Sequence, residues 1–347
     1  MPEESTAHID FDILDQKAIS KPLVTHIYTA DPSAHVFEGK IYVYPSHDID
    51  AGEAFDDLGS HFAMEDYHVL SMDHVGAPAK DHGVALHVDD VPWAKQQMWA
   101  PDAAHKNGTF YLFFPAKDHQ GIFRIGVALS DSPTGPFTPR PNAIKDSFSI
   151  DPAVFEDTDG THYMYFGGLW GGQLQRWRNG SFDASSPESP TAHLPQDHEP
   201  ALLPFVAKMR EDLLEFDEKP RPVQILDQNG KLLLAGDNQR RFFEAAWLHK
   251  HNGRYYFSYS TGDTHYICYA IGDSPYGPFT YAGRILEPVV GWTSHHSICQ
   301  VDGQWYLFYH DSSLSKGVTH LRSVKMAPIK HDPEGNIKTL KPYGDYK

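Results

Sequence analysis

Two short stretches set an acidic residue and a proline directly before a hairpin of aromatic strands. They are "TADPSAHVFEGKIYVY", with Asp31-Pro32, and "SIDPAVFEDTDGTHYMYF", with Asp151-Pro152. Asp-Pro is ordinary turn chemistry, so either junction alone is a turn device. Three further hairpins of the same form, "PDAAHKNGTFYLFF", "EAAWLHKHNGRYYFSY" and "HHSICQVDGQWYLFYH", carry Asp102, Glu244 and His295 at the corresponding place. Counted back from the turn glycines Gly39, Gly108, Gly160, Gly253 and Gly303, the five residues lie eight, six, nine, nine and eight positions earlier. One polar residue at a strand start is solvated or capping. An ionisable residue at that place in all five repeats points to a shared site. Converging carboxylates, without P-loop or nucleophile elbow, suit acid–base hydrolysis, and a glycosidic bond is a natural target. One group protonates the leaving oxygen while the other activates water or attacks.

The elements that must position these groups follow from the repeat. Each unit reads as a short apolar strand, a glycine turn and an aromatic strand. A second phrase, "LSDSPTGPF" at 129–137 and "IGDSPYGPF" at 271–279, follows about twenty residues later. That makes each unit a four-stranded sheet with the phrase near its outer turn. Successive turn glycines are 69, 52, 93 and 50 residues apart, a period near fifty with insertions. Five such sheets arranged radially make an all-β, five-bladed β-propeller with four-stranded antiparallel blades. First strands line the central channel of a propeller, so the five starts open at one of its ends. The polar, proline-rich "NGSFDASSPESPTAHLPQDHEP" is a loop placed to cover one face. Helical periodicity is weak, and "VAKMREDLLEFD" at 206–217 is its clearest instance.

Composition agrees and excludes other classes. Aromatics are 13% of the 347 residues, and 27 glycines and 26 prolines suit many strands joined by tight turns. The net charge is -17 with no basic stripe, which argues against nucleic acid or an anionic membrane as partner. Cys268 and Cys299 are the only cysteines, too few and too far apart for a disulfide framework or zinc knuckle. The 22 histidines show no HExxH spacing. The acidic N-terminus "MPEESTAHIDFDILDQK" lacks the pattern of a signal peptide, and no apolar run would span a bilayer. A cytoplasmic protein is expected.

The segments "TADPSAHVF", "MWAPD", "SIDPAVF", "FFEAAW" and "SHHSI" with "WYLFYH" resemble, in order, those of glycoside hydrolase family 43, over about residues 20 to 340. That family comprises inverting five-bladed propeller enzymes acting on xylosides and arabinosides. The resemblance implies that Asp31 is the general base, Glu244 the general acid, and Asp151 the third carboxylate, which orients the acid and raises its pKa. It implies that His295 stands near the channel axis beside a divalent cation, commonly calcium. Calcium prefers oxygen ligands, so a hydrogen-bonding role is the alternative, and His296 is one residue of register away. Arg322 in "THLRSVKM" resembles the arginine that binds the terminal sugar, although a last-strand arginine is equally well solvated. Trp99, Phe55 and Trp170 are candidates to stack on a pyranose ring or simply to pack. Asp102 is expected to have a structural hydrogen-bonding role, and His47-Asp48 either reaches the site or closes a turn.

Within the family, "KPLVTHIYTADPSAHVFEGKIYVYPSHDID" is most similar to intracellular β-xylosidases, which release xylose from the non-reducing end of β-1,4-xylo-oligosaccharides. An α-L-arabinofuranosidase, or an enzyme with both activities, is the rival. The expected organisation is one catalytic propeller over 1–347, with residues 1–20 as an N-terminal extension and no C-terminal β-sandwich. Either the loop after Gly180 or a neighbouring copy in a homo-oligomer is then expected to close the pocket. A retaining fructan-processing propeller would show an "EC" pair at the acid where this chain reads "EAAW". A non-catalytic carbohydrate-binding propeller would lack one of the three carboxylates.

Overall fold

The five repeated hairpins become the inner strands of five sheets set in a ring. The computed structural model describes residues 6–346, so Met1–Ser5 of the expected extension lie outside the described residues. Blade one comprises β1 (Tyr28–Phe37), β2 (Lys40–Asp48), β3 (Asp66–Met72) and β4 (Lys80–His87). Blade two comprises β5 (Ala94–Gln96), β6 (Asp102–Lys106), β7 (Thr109–Asp118), β8 (Phe123–Ser130) and β9 (Thr138–Pro139). Blade three comprises β10 (Ala153–Glu156), β11 (His162–Phe166), β12 (Phe205–Lys208) and β13 (Arg221–Pro222). Blade four comprises β14 (Ile225–Leu226), β15 (Glu244–His251), β16 (Arg254–Ser260), β17 (Ile267–Gly272) and β18 (Phe279–Leu286). Blade five comprises β19 (His296–Val301), β20 (Gln304–Asp311) and β21 (Ser323–Ile329). The innermost strands β1, β6, β10, β15 and β19 each touch the next, and β19 returns to β1. That closes a five-bladed propeller.

Blades one and three have the expected four strands. In blade two the long β7 pairs with both β6 and the short β5 along its inner edge. Blade four gains β14, parallel to β18, on its outside, and blade five has three strands among the described residues. Five hydrophobic clusters fill the five seams between neighbouring blades. Each sheet thus buries both faces, which is why strands such as "FYLFF" are apolar without alternation.

Turn chemistry is repeated with the strands. Gly39, Gly108, Gly253 and Gly303 have φ near +80° and follow Glu38, Asn107, Asn252 and Asp302, themselves at φ near +50°. Two consecutive positive φ values define the two-residue turn whose twist matches that of the flanking strands. The repeated Asp-Ser-Pro phrase lies between the third and fourth strands of its blade, near the outer turn. It also ties blades together, since Tyr44 donates its hydroxyl to the Pro133 carbonyl at 2.6 Å and Tyr165 to Pro275 at 2.5 Å.

The helix expected at 206–217 does not form. Phe205–Lys208 is a strand paired with β11, Met209 bridges to Phe216, and Leu213 turns the chain at φ +58°. Met209 and Leu213 are buried in the seam between blades two and three, so tertiary packing overrides the helical spacing of the apolar residues. The one α-helix among the described residues is α1 (Phe11–Lys17), capped by Asp10, whose carboxylate accepts from the Asp12 and Ile13 N–H groups.

Candidate active site

Two bulges aim the principal carboxylates into the channel. In β1 the pairing runs Ala30↔Ser46, then Ser33↔Tyr44, so an extra residue is accommodated at Asp31, whose φ is +48°. In β15 the pairing jumps from Glu244↔Ser260 to Trp247↔Ser258, with Ala245 at φ +61°. A bulge bends its strand and redirects one side chain out of the ladder. Asp151 adopts φ +59° just before Pro152 and β10. These carboxylates, with His295 and Arg322, line one pocket at the mouth of the channel.

Asp31 is buried and held by four neighbours. Arg322 Nη1 donates to Oδ1 at 2.9 Å, Ser46 Oγ donates to Oδ2 at 2.7 Å, and His295 Nδ1 stands 3.4 Å from Oδ1. The Asp31 N–H donates to His310 Nδ1 at 2.9 Å. His310 therefore carries its proton on Nε2, which faces the Thr293 carbonyl at 3.1 Å. Burial alone would push the Asp31 carboxyl up, but the Arg322 guanidinium and His295 outweigh it and hold it well below the usual carboxylate range. Burial likewise pushes the His310 imidazole down to about 3, which keeps that neutral tautomer.

Glu244 is the opposite case. It is half-buried on the pocket wall, and no protein group donates to its carboxyl among the described residues. Burial first, then the negative charges of Asp151 and Asp31, raise its pKa well above the ordinary value. Asp151 is also raised, by burial and then by Asp31, against the opposing pull of His295. Its Oδ2 accepts the Ala245 N–H at 2.8 Å and lies 4.0 Å from His295 Nδ1. One site thus holds a carboxylate fixed in its ionised form and another that keeps its proton.

Four of the five repeated positions converge; Asp102 does not. Its fully buried carboxylate binds His35 Nε2 at 2.6 Å, the Ala103 N–H at 2.7 Å and the Val154 N–H at 2.6 Å, stitching blades one, two and three together. His296 points elsewhere, with Nε2 on Ser258 Oγ at 2.6 Å, so the register places His295 in the pocket. Arg322 is buried, and four of its five N–H bonds are already used: Nε and Nη2 on Asp48, and Nη1 on Asp31 and Thr293. One N–H remains for a ligand.

Asp48 is the residue whose role the sequence left open. It is fully buried and receives Arg322 through Nε at 2.8 Å and Nη2 at 2.7 Å, the bidentate geometry of strong guanidinium–carboxylate pairs. Its place two residues after Ser46 on β2 turns both side chains to the same face. That periodicity was the available signal.

Phe55, Trp99 and Trp170 all line the pocket, joined by Phe62, Phe243 and Trp292. Trp170 and Trp292 lie 5.5 Å apart between ring centroids. The loop after Gly180 contributes no lining residue; Arg176 instead ties it down through the carbonyls of Asp183, Ser185 and Ser186. Closure comes from blade one, where the Phe55–Phe62 segment crosses to meet Gly171. A Cβ on Gly171 would stand 2.5 Å from the Leu58 carbonyl oxygen, so only glycine permits that approach.

Xylosidase/arabinosidase 43A of Humicola insolens is 60% identical over 328 residues, covering 92% of this chain and 99% of that protein. The β-xylosidase of Xylanibacter ruminicola is 54% identical, covering 90% and 97%. The structure of CoXyl43, a β-xylosidase/α-arabinofuranosidase from a compost metagenome solved with xylotriose in a calcium-free form, superposes with a TM-score of 0.91. It is 62% identical and covers 93% of this chain and 98% of its own. The GH43_1 enzyme of Xanthomonas citri, solved with xylotriose, gives a TM-score of 0.90 at 58% identity, covering 96% and 97%. Residues 79–189 and 205–337 match the family described as Glycosyl hydrolases family 43, and this chain belongs to that family.

Proposed function

We propose that this glycoside hydrolase is an inverting, exo-acting β-xylosidase that releases xylose from the non-reducing end of xylo-oligosaccharides. The observation that carries the reading is that Asp31, paired with Arg322 and Ser46, and Glu244, to which no protein group donates among the described residues, face one aromatic-lined pocket. Glu244 donates its proton to the leaving oxygen, and Asp31 holds and deprotonates the attacking water. A carboxylate held as far down as Asp31 is a weak base. Its proton transfer therefore falls late, after the bond to the leaving sugar has largely broken, as an oxocarbenium-like transition state allows. Asp151 fixes the bulge that carries Glu244 through the Ala245 N–H and keeps the acid protonated by its charge. Arg322 keeps Asp31 ionised and offers its remaining N–H to the terminal sugar. Closure of the pocket by the Leu58–Gly171 contact favours cleavage from a chain end. The xylotriose complexes of CoXyl43 and the Xanthomonas citri enzyme support the substrate class.

A second activity, on α-L-arabinofuranosides, is favoured by the names of the Humicola insolens and Bacteroides ovatus relatives, both xylosidase/arabinosidases. The comparison that tests both readings is hydrolysis of aryl β-xyloside against aryl α-arabinofuranoside, with proton NMR of the first-formed sugar. The α-anomer of xylose is expected from the β-xyloside. A β-anomer at early times would rule out single displacement.

A hydrated divalent cation, calcium by preference, belongs to the same proposal. The fit is thin, because His295 offers one imidazole nitrogen. The Asp31 oxygens are engaged by Arg322 and Ser46, and Asp151 Oδ2 by the Ala245 N–H. A cation here would take His295 and otherwise water, lending positive charge to the channel floor. Chelation followed by calcium replenishment should lower and restore kcat/KM in the wild type but not in His295→Ala. Chelator-insensitive protein with no metal by elemental analysis would leave His295 as a hydrogen-bonding residue.

A further inference from the structure

A second group of ligating side chains lies on blade one, outside the pocket. The ladder of β2 with β3 pairs Val43 with Leu70. Carried four residues along, that register sets Asp66 opposite His47, with His68 two residues further on the same face. One donor atom from each of the three lies within 4.8 Å of the others, and no other such trio occurs among the described residues. The His47 and His68 rings are 4.3 Å apart between centroids. The side chains of all three are between 10% and 17% exposed, reachable yet largely fixed.

We propose that His47, Asp66 and His68 form a binding site for a divalent transition-metal ion, with zinc as the fitting example. Two imidazoles and one carboxylate, leaving a position open to water, are the ligand set that suits zinc and its neighbours rather than calcium or magnesium. Zinc holds such atoms at about 2 Å, so donors that already lie within 4.8 Å of one another can close around it through side-chain shifts. The supporting shell is present. Asp81 Oδ1 binds His68 Nδ1 at 2.8 Å and is itself fixed by the Gly83 N–H at 2.8 Å. A carboxylate behind a ligating histidine sets its tautomer and leaves Nε2 free to bind. The same carboxylate reaches His26 Nε2 at 2.8 Å through Oδ2. His47 Nδ1 and Asp66 Oδ1 are hydrogen-bonded at 2.5 Å, and zinc would displace the proton between them to solvent as it takes both atoms. Alternation along β2 gives the site a consequence. Ser46 and Asp48, flanking His47, face the channel and hold Asp31 and Arg322. A metal on the opposite face would pin the strand end that carries them.

Isothermal titration of zinc into a His295→Ala chain tests the site free of any channel cation. One equivalent per chain is expected, with about one proton released, read from the dependence of the heat on buffer. Adding Asp66→Asn or His68→Ala should weaken binding at least tenfold, and Asp81→Asn by about 10–100-fold. Circular dichroism checks each variant, and Asp66→Asn, which keeps the side-chain shape, decides if His68→Ala does not fold. Unchanged uptake after Asp66→Asn, or no stoichiometric uptake by His295→Ala, overturns the proposal.

Discussion

Glu244 and Asp31 differ in protonation because of what surrounds them, and that difference is open to kinetics. On the proposed roles, a Glu244→Ala enzyme lacks only the proton donor. It should lose far more on xylobiose than on an aryl xyloside whose leaving group departs without protonation. Asp31→Ala loses water activation and should suffer alike on both substrates, with general acid–base terms worth about 10²–10⁴ in rate. Equal losses for both variants on both substrates would remove the division of roles. The charge of Asp151 enters the pH profile. As the proposed acid, Glu244 must be protonated to act, so its raised pKa should set the alkaline limb of kcat/KM. Asp151→Asn removes a negative neighbour while leaving an oxygen for the Ala245 N–H, so the pKa of Glu244 falls and the alkaline limb moves to lower pH. A limb that stays in place or moves up would show that burial alone raises the acid.

Much of the element-level architecture was legible because it repeats. The turn glycines, the aromatic second strands and the Asp-Ser-Pro phrase recur at fixed places in the blade, so each copy corroborates the others. What does not repeat was harder to read. The three-stranded blade five and the outer β14 depend on how much chain each insertion supplies, and 206–217 has helical spacing yet joins a sheet edge. Four of the five repeated positions reach the pocket: bulges or positive φ values aim Asp31, Asp151 and Glu244, and His295 enters from the residue just before β19. Asp102 begins an unbulged strand, so its carboxylate stays in the seam. Asp48 was visible as a residue but not as a partner, since Arg322 is 274 positions away. The β15 bulge is testable as an element. Ala245 is buried at φ +61° beside the acid, a conformation costly for β-branched side chains. Ala245→Val should lower stability by about 1–3 kcal/mol and reduce kcat with it. Ala245→Gly should be nearly neutral in urea denaturation. Equal stabilities for the two variants would mean that the bulge is not strained.

At the scale of the whole molecule, the active site is also where the ring closes. The last strand meets the first blade through Leu23 N–H on the Val324 carbonyl at 2.8 Å and Thr29 N–H on the Arg322 carbonyl at 2.9 Å. Arg322 extends that seam inward with its buried pairs to Asp31 and Asp48, so on the proposed roles one guanidinium serves both closure and chemistry. Breaking a buried pair from one side leaves the other charge uncompensated, at a cost of about 3–5 kcal/mol. Arg322→Met should therefore be inactive and destabilised by about that much at pH 7. The pH dependence separates this from a simple packing loss. In the wild type the folded pKa of Asp31 lies below its unfolded value, so its stabilisation is complete at neutral pH and is lost only as pH falls through the depressed value. Without the guanidinium, Asp31 becomes a buried anion whose pKa rises above the unfolded value, and Asp48, which burial already holds above that value despite Arg322, rises further. Their penalty is then greatest at pH 7 and is relieved as pH falls through the raised values. Urea midpoints at pH 7 and pH 5 should thus show the gap between variant and wild type narrowing with acidification. A gap that stays constant or widens would mean that Arg322 holds the seam by packing rather than by charge.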